Sequence, residues 1–215
     1  MAVHLQKAIE KLKKEILSLG AMVEDRFQKA IYAIKTEDLD LAREIIRTDY
    51  MVDEREIEVE EECLKILALY QPVAMDLRFI VVVIKINNDL ERIADYAANI
   101  AMRYKTSFQN QEKFRYDYSA MASQTGKMLK MSLDALVSLD VDMAYEVRNM
   151  DKIVNGMRNQ AYDIMKQDVK KHPGQVGEII NMYLISRHLE RIGDHTTNIA
   201  EEVIYLVEGE IIRHR

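Results

Sequence analysis

Residues 90–101 read Leu-Glu-Arg-Ile-Ala-Asp-Tyr-Ala-Ala-Asn-Ile-Ala, and residues 189–200 read Leu-Glu-Arg-Ile-Gly-Asp-His-Thr-Thr-Asn-Ile-Ala. Leucine, glutamate, arginine, isoleucine, aspartate, asparagine, isoleucine and alanine recur in the same order, so eight of the twelve positions are identical. Two unrelated amphipathic helices would share residue classes rather than identities. The chain therefore contains an internal repeat, and a repeat determines the architecture.

The repeat extends into the preceding part of each half, where the offset is 102 residues instead of 99. There Ala33, Asp38, Asp40, Ala42, Glu44 and Asp49 fall on Ala135, Asp140, Asp142, Ala144, Glu146 and Asp151. We predict an all-α fold made of two tandem, internally repeated three-helix bundles that pack side by side and contain six long helices in all.

Apolar residues recur every three or four positions, which predicts long helices. The first stripe predicts a helix over residues 3–35. Thr36 is the expected N-cap of a second helix. That helix ends near Leu69, because Pro72 and the residue before it cannot continue the helical hydrogen bonds.

The third segment resembles a buried strand by composition, since residues 79–86 read Phe-Ile-Val-Val-Val-Ile-Lys-Ile. Helical spacing nonetheless continues beyond it, so we predict one helix from Met75 to Arg103. The second half repeats this order, with helices predicted at residues 117–137, 140–170 and 175–207.

A polar segment without clear periodicity, residues 105–116, is the predicted linker between two domains. On this division residues 1–104 form the first bundle and residues 117–215 form the second.

Composition narrows the class of protein. Of the 215 residues, 48% are hydrophobic and only two are proline, which favours a helical globular protein. A net charge of −6 argues against a nonspecific nucleic-acid binder. Cys63 is the single cysteine and an expected core residue, so we expect a reducing compartment. The longest apolar run, residues 79–84, is far too short for a transmembrane helix.

Each copy of the repeat carries a glutamate, an aspartate and an asparagine spaced four residues apart, which places all three on one stripe of a helix. Oxygen ligands on one rigid face suit iron, manganese, magnesium or calcium better than zinc. An ordinary solvated face is the alternative. Helical geometry places the stripe on the flank or outer face, away from the apolar seam. The candidate metal ligands are Glu91, Asp95, Asn99, Glu190, Asp194 and Asn198.

A second acidic pair, Asp49 and Asp53, either faces this stripe or lies on the surface. Its counterparts in the second half are Asp151 and Asn155. Enzymatic signatures fail: the sequence contains no Glu-x-x-His pair for a di-iron centre, no phosphate-binding glycine loop and no nucleophile–histidine motif. We expect His195 to form hydrogen bonds at the surface or between the halves.

Residues 189–201 resemble the signature of the PhoU family of phosphate-uptake regulators, and residues 90–96 match its expected repeat. The resemblance covers about residues 17–207. It implies two three-helix bundles, and it implies cation binding in some members through Glu-x-x-x-Asp motifs. In this sequence those motifs are formed by Glu91, Asp95, Glu190 and Asp194.

The resemblance also implies a function. It implies a cytoplasmic adaptor, commonly a homodimer, that links the ATPase subunit of the phosphate ABC transporter to the sensor histidine kinase PhoR. Such a protein represses the phosphate-starvation response when phosphate is plentiful, and it reaches the membrane only through its partners. Two alternatives stay open: a metal-dependent enzyme that uses the carboxylate stripes, and a purely structural helical scaffold.

Overall fold

Helices make up nearly all of the protein in a computed structural model that describes residues 2–107 and 115–210. Over that part of the chain there is no β-strand, so the prediction of an all-α fold is confirmed. A short 3₁₀ turn, Pro173–Gln175, precedes the last helix. The helices are α1 (Ala2–Thr36), α2 (Leu39–Arg47), α3 (Tyr50–Tyr70), α4 (Ala74–Ser107), α5 (Ser119–Ser138), α6 (Val141–Lys171) and α7 (Val176–Glu208).

The helices form two bundles that share one core. In the first half α1 and α4 pack against the α2–α3 pair, and in the second half α5, α6 and α7 pack together. The two helices that carry the repeated segment, α4 and α7, contact each other more extensively than any other described pair. Because α1 also contacts α5, buried side chains of both halves belong to one apolar cluster, which includes Phe27, Leu90, Leu129 and Leu189.

Close approach of α1 and α5 depends on a glycine in each helix. A Cβ atom added at Gly20 would lie 2.9 Å from Cδ2 of Leu133. At Gly126 it would lie 3.1 Å from Cε1 of Phe27. Both distances are shorter than an ordinary carbon–carbon contact. These glycines therefore let the two halves pack closely at this crossing.

The predicted start of the second helix is wrong. Thr36 is the last residue of α1, and its hydroxyl donates to the carbonyl of Tyr32. Asp38 is the N-cap instead: its carboxylate accepts from the backbone N–H groups of Asp40 and Leu41, at 3.0 and 2.9 Å. An aspartate caps the start of α6 in the same way, because Asp140 accepts from a backbone N–H at 2.9 Å.

The second predicted helix is also interrupted, at Thr48 and Asp49, between α2 and α3. The cause is Arg26, a buried residue of α1. Its guanidinium donates to the backbone carbonyls of Ile45 and Thr48 and to the carboxylate of Asp49. Since the last carbonyls of a helix lack donors within the helix, a buried guanidinium is a suitable partner for them.

The segment between the halves differs in part from the predicted linker 105–116. Helix α4 continues to Ser107, so the first three linker positions are helical. Residues 108–114 lie outside the described residues. Helix α5 begins at Ser119, and Tyr118 just before it is buried and donates a 2.6 Å hydrogen bond to the carbonyl of Met182. The division into two domains remains a prediction.

The described helices were also examined for two expected features, a membrane span and the position of the single cysteine. Among the described residues, no helix is long and apolar enough to cross a membrane. Cys63 has no exposed surface and lies in the core of the first half, as expected from its neighbours.

Candidate metal centre

Three carboxylates meet where α3 passes α4 in the first half. One oxygen each of Asp53, Glu91 and Asp95 lies within 4.8 Å of the others. We call these three residues the first-half site. Asp53 is exposed, whereas Glu91 and Asp95 are half-buried on the flank of α4. The sequence left open whether Asp53 faces the acidic stripe of α4 or points away from it on the surface. In the structure it faces the stripe.

Negative charge accumulates at the first-half site. Burial, the neighbouring carboxylate of Asp95 and that of Asp53 raise the pKa of Glu91 to about 7. Besides the buried Arg26, whose charge acts on Asp53 and Asp95, the site has the guanidinium of Arg92, whose side chain is half-exposed. It approaches Glu91 and Asp95 at 3.4 Å each. A bound cation would relieve the remaining repulsion between the carboxylates.

The donor set fits a hard cation, because all three groups are carboxylates on two rigid helices. An amide lies one turn before Glu91 on the same stripe. The side chain of Asn87 is buried, and its Nδ2 donates to the carbonyl and the Oε1 atom of Glu56 at 2.9 and 3.0 Å. Its Oδ1 atom has no hydrogen-bond partner among the described residues. Asn99, the third predicted ligand, is half-buried at the other end of the stripe.

In the second half Asp151, the counterpart of Asp49, joins Glu190 and Asp194, and Asn155 stands where the first half has Asp53. Asp151, Glu190 and Asp194, which we call the second-half site, come from α6 and α7. Asp194 and Asn198 are half-buried, but Glu190 is only 6% exposed, so the prediction that the stripe lies on the flank or outer face is wrong for Glu190. The reason is that α7 packs against α4, α5 and α6, so most of its circumference is covered.

Arginines hold the buried glutamate of the second-half site. Nη2 of Arg158 donates to Oε1 of Glu190 at 3.1 Å. Nη1 of Arg187 lies 3.7 Å from its Oε2 atom. These guanidiniums supply the positive charge that a buried carboxylate requires.

The other two acids of the second-half site also have partners. Arg191 donates to Asp194 at 3.0 Å, and Asn155 donates to Asp151 at 2.7 Å. Burial, followed by the charges of Asp194 and Glu190, raises the pKa of Asp151 to about 6. Burial and the charge of Glu190 likewise raise the pKa of Asp194.

The remaining predicted ligand, Asn198, contacts a different group. Its Nδ2 donates to Oδ1 of Asp89 on α4 at 3.0 Å. Nδ1 of His195 lies 2.7 Å from the same oxygen. The expected hydrogen bond between the halves is therefore observed for His195. The rings of Tyr96 and His195 also contact each other at a tilt, with centroids 5.7 Å apart.

Four residues that shape the sites were missed in the sequence: Arg26, Glu56, Arg158 and Arg187. A usable signal was present for Arg158, because the 102-residue offset aligns it with Glu56. The 99-residue offset aligns Arg187 with Asn88. Such positions are not identical in the two repeats, so the repeated residues do not reveal them. They are recognisable because the charge of the side chain changes between the repeats.

Both halves of the sequence match one known domain. The PhoU domain matches residues 16–104 and again residues 118–203. The chain belongs to the PhoU family. The two matched regions correspond to the two halves of the internal repeat.

PhoU-family relatives match nearly the whole chain. The phosphate-specific transport system accessory protein PhoU homolog of Pseudomonas aeruginosa is 36% identical over 208 residues, which cover 96% of this chain and 86% of the relative. The accessory protein PhoU homolog 1 of Thermotoga maritima is 33% identical over 214 residues, covering 97% and 90%. Both relatives are named as accessory proteins of the phosphate-specific transport system.

Solved PhoU structures share the fold. The crystal structure of PhoU from Pseudomonas aeruginosa has a TM-score of 0.92 and 35% identity, and the match covers 95% of this chain and 99% of that one. The phosphate transport system regulatory protein PhoU from Streptococcus pneumoniae has a TM-score of 0.86 and 26% identity, covering 97% and 99%.

Proposed function

We propose that this PhoU-family chain regulates phosphate uptake and the phosphate-starvation response by binding other proteins. Its partners are the ATPase subunit of the phosphate ABC transporter and the sensor histidine kinase PhoR. It acts in the cytoplasm as a homodimer, and it represses signalling when phosphate is plentiful. The observation that carries this proposal is the match of both halves to the PhoU domain.

Metal binding through a Glu-x-x-x-Asp motif is part of the proposal. Support comes from the first-half site, where three carboxylate oxygens lie within 4.8 Å of one another. Asp53, Glu91 and Asp95 would hold the ion, and iron, manganese, magnesium and calcium all suit such oxygen ligands. The ion would supply positive charge and join α3 to α4.

We propose no catalytic activity. The groups gathered at the two sites are carboxylates, amides and guanidiniums, which bind and position charge. The only thiol of the chain, that of Cys63, is buried in the core. The relatives named above are accessory or regulatory proteins of phosphate transport.

A pull-down of the purified full chain with the transporter ATPase subunit and the sensor kinase tests the proposal. We expect both partners to be retained, and we expect deletion of the gene to activate a phosphate-starvation reporter at high phosphate. Each pull-down is run with added Mn²⁺ and with a chelator. If neither partner binds in either condition, the proposed function is wrong.

A further inference from the structure

We propose that the groove between α1 and α5 binds a nucleoside phosphate. The groove contains a cavity of about 660 Å³ between the two halves of the chain, and its described lining residues belong to neither acidic site. Cavities that bind small organic molecules have volumes of about 300–1,000 Å³ and often lie between domains. The inference goes beyond the proposed function, because it gives the chain a small-molecule ligand in addition to its protein partners.

The cavity is roomy because α5 presents small side chains to it. Ala122, Ser123 and Gly126 line this side of the groove. A Cβ atom added at Gly126 would lie 3.3 Å from Nε2 of Gln28, which lines the opposite side. The glycine therefore leaves room for the amide of Gln28. This amide and the hydroxyl of Ser123 are groups that can form hydrogen bonds with the hydroxyls of a sugar.

One end of the cavity has an aromatic and apolar wall. Tyr116, which is half-buried, lines this end together with Ile31 and Ile34. The ring of Tyr116 packs against that of the buried Tyr118, with centroids 4.9 Å apart. Tyr118 is held in turn by its hydrogen bond to the carbonyl of Met182. A supported tyrosine ring beside aliphatic side chains suits a nucleobase, whereas inorganic phosphate would leave this wall without contacts.

The charged residues of the lining favour an anion. Three lysines, Lys35, Lys127 and Lys130, face the cavity, against two acids, Glu24 and Asp117. The carboxylate of Asp117 already accepts a 2.9 Å hydrogen bond from a backbone N–H group. The cavity is therefore locally positive in a chain whose net charge is −6. A lysine ammonium is a compact charge that binds phosphate groups.

Two of the lysines have partners that a phosphate can replace. Nζ of Lys127 lies 3.6 Å from Glu146, and Nζ of Lys130 lies 3.2 Å from Asp134. The four side chains are 49–63% exposed, and ion pairs this exposed to water stabilise a protein little. Both lysines can therefore turn to a more highly charged phosphate at small cost.

The repeat provides an independent comparison, because the 102-residue offset relates the two ends of the α1–α5 groove. The offset aligns Leu17 with Ser119 and Lys35 with Val137. Leu17 and Val137 line an apolar cavity at the other end of the groove. Equivalent positions are thus apolar at one end and polar or charged at the other. The end that contains Lys35 is the one suited to an anionic ligand.

Nucleotide binding to the full chain tests the proposal. The probes are AMP, ADP and ATP, measured by equilibrium dialysis in the presence of EDTA, so that the acidic sites hold no metal ion. We expect one nucleotide per chain and weaker binding at high salt, because salt screens charges that are open to solvent. Inorganic phosphate should compete much more weakly than any nucleotide that binds.

Charge variants locate the site. We expect the loss of three charge-assisted hydrogen bonds to weaken binding by roughly tenfold or more in the triple variant Lys35→Gln, Lys127→Gln, Lys130→Gln. A matched control removes three exposed lysines outside the cavity, and its affinity should stay near that of the wild type. The control is Lys29→Gln, Lys65→Gln, Lys171→Gln.

A ring variant tests the nucleobase wall. We expect Tyr116→Ala to weaken nucleotide binding by about fivefold or more, since it removes the stacking surface. Tyr32, a tyrosine of α1 that is 57% exposed and does not line the cavity, provides the control Tyr32→Ala. Circular dichroism verifies that each variant is folded.

Several results would overturn the proposal. They are a wild-type chain that binds none of the three nucleotides, folded lysine or Tyr116 variants that bind like the wild type, an equal loss in the matched controls, and inorganic phosphate that binds as tightly as a nucleotide. Failure of the proposed function has a different signature. A chain that binds nucleotide as stated but retains neither the ATPase subunit nor the sensor kinase contradicts the proposed regulation and leaves this inference standing.

Discussion

At the scale of single residues, Glu91 links the stability of the protein to pH. Its pKa of about 7 in the folded chain exceeds the ordinary value of 4.5. The folded state therefore holds a proton that the unfolded state releases between about pH 4.5 and 7, and the free energy of unfolding falls as pH rises through that window. Because the side chain is partly solvated, screening limits the effect to about 1 kcal/mol or less.

We expect Glu91→Gln to remove this part of the pH dependence. Without metal, the variant should match the wild type at pH 5 and exceed it in free energy of unfolding at pH 8. Urea unfolding followed by circular dichroism at both pH values measures the difference. Equal pH slopes for the two proteins would contradict the assignment, and Glu54→Gln, an exposed acid of the same bundle, is the control.

Arg26 is the residue on which the interruption between α2 and α3 depends. Replacement by methionine keeps the apolar stem but leaves the carbonyls of Ile45 and Thr48 and the carboxylate of Asp49 without their donor. We expect Arg26→Met to lower the free energy of unfolding by roughly 2–4 kcal/mol. Arg43 forms an exposed pair with Asp40, so Arg43→Met should change it by about 0.5 kcal/mol or less. Urea unfolding of both variants compares them, and equal losses would show that burial of Arg26 contributes nothing.

At the scale of helices, a glycine at the crossing of α1 and α5 and a glycine on the open face of α6 give predictions of opposite sign. Gly126→Val places methyl groups against Phe27, so we expect a loss of about 1–3 kcal/mol in stability. An added Cβ at Gly156 meets nothing within 4 Å, so Gly156→Ala should stabilise α6 by roughly 0.5–1 kcal/mol. Thermal unfolding distinguishes them; a stabilising Gly126→Val would contradict the close packing of α1 against α5.

Helix positions followed from periodicity because each long helix buries one continuous apolar stripe. The strand-like residues 79–86 were correctly assigned to a helix for this reason. The interruption at Thr48 and Asp49 was missed, because its cause is an arginine on another helix. The N-cap was misplaced by two residues, since Thr36 and Asp38 are both good capping residues and only the backbone geometry distinguishes them.

At the scale of the whole molecule, the shared core predicts that the two halves unfold together. Lys85 on α4 pairs with Glu202 on α7 at 3.0 Å, and the glutamate side chain is 3% exposed. We expect one thermal transition for the wild type. Lys85→Met should move that single transition to lower temperature, with a loss of roughly 1–3 kcal/mol, because a buried carboxylate loses a counterion. Calorimetry tests this, and two separate transitions would contradict a common core.

The sites were only partly predictable from the sequence, because the surroundings of their carboxylates depend on how the helices of the whole molecule pack. The repeated segment correctly indicated Glu91 and Asp95 as neighbours, and its symmetry implied an equal site in the second half. Helical geometry within one bundle placed both stripes on a flank. Burial of Glu190 depends on three helices around α7, and the charge that faces it comes from Arg158, at a position where the repeats differ.

Cys63 has a practical consequence. Burial, followed by the charges of nearby glutamates such as Glu15, raises the pKa of its thiol to about 12, and none of its surface is exposed. A protonated, inaccessible thiol does not react with maleimides. A cysteine introduced at an exposed position, by Glu54→Cys in one half or Lys152→Cys in the other, therefore becomes the only thiol that a dye labels. Fluorescence can then report on either half separately while the native cysteine stays in place.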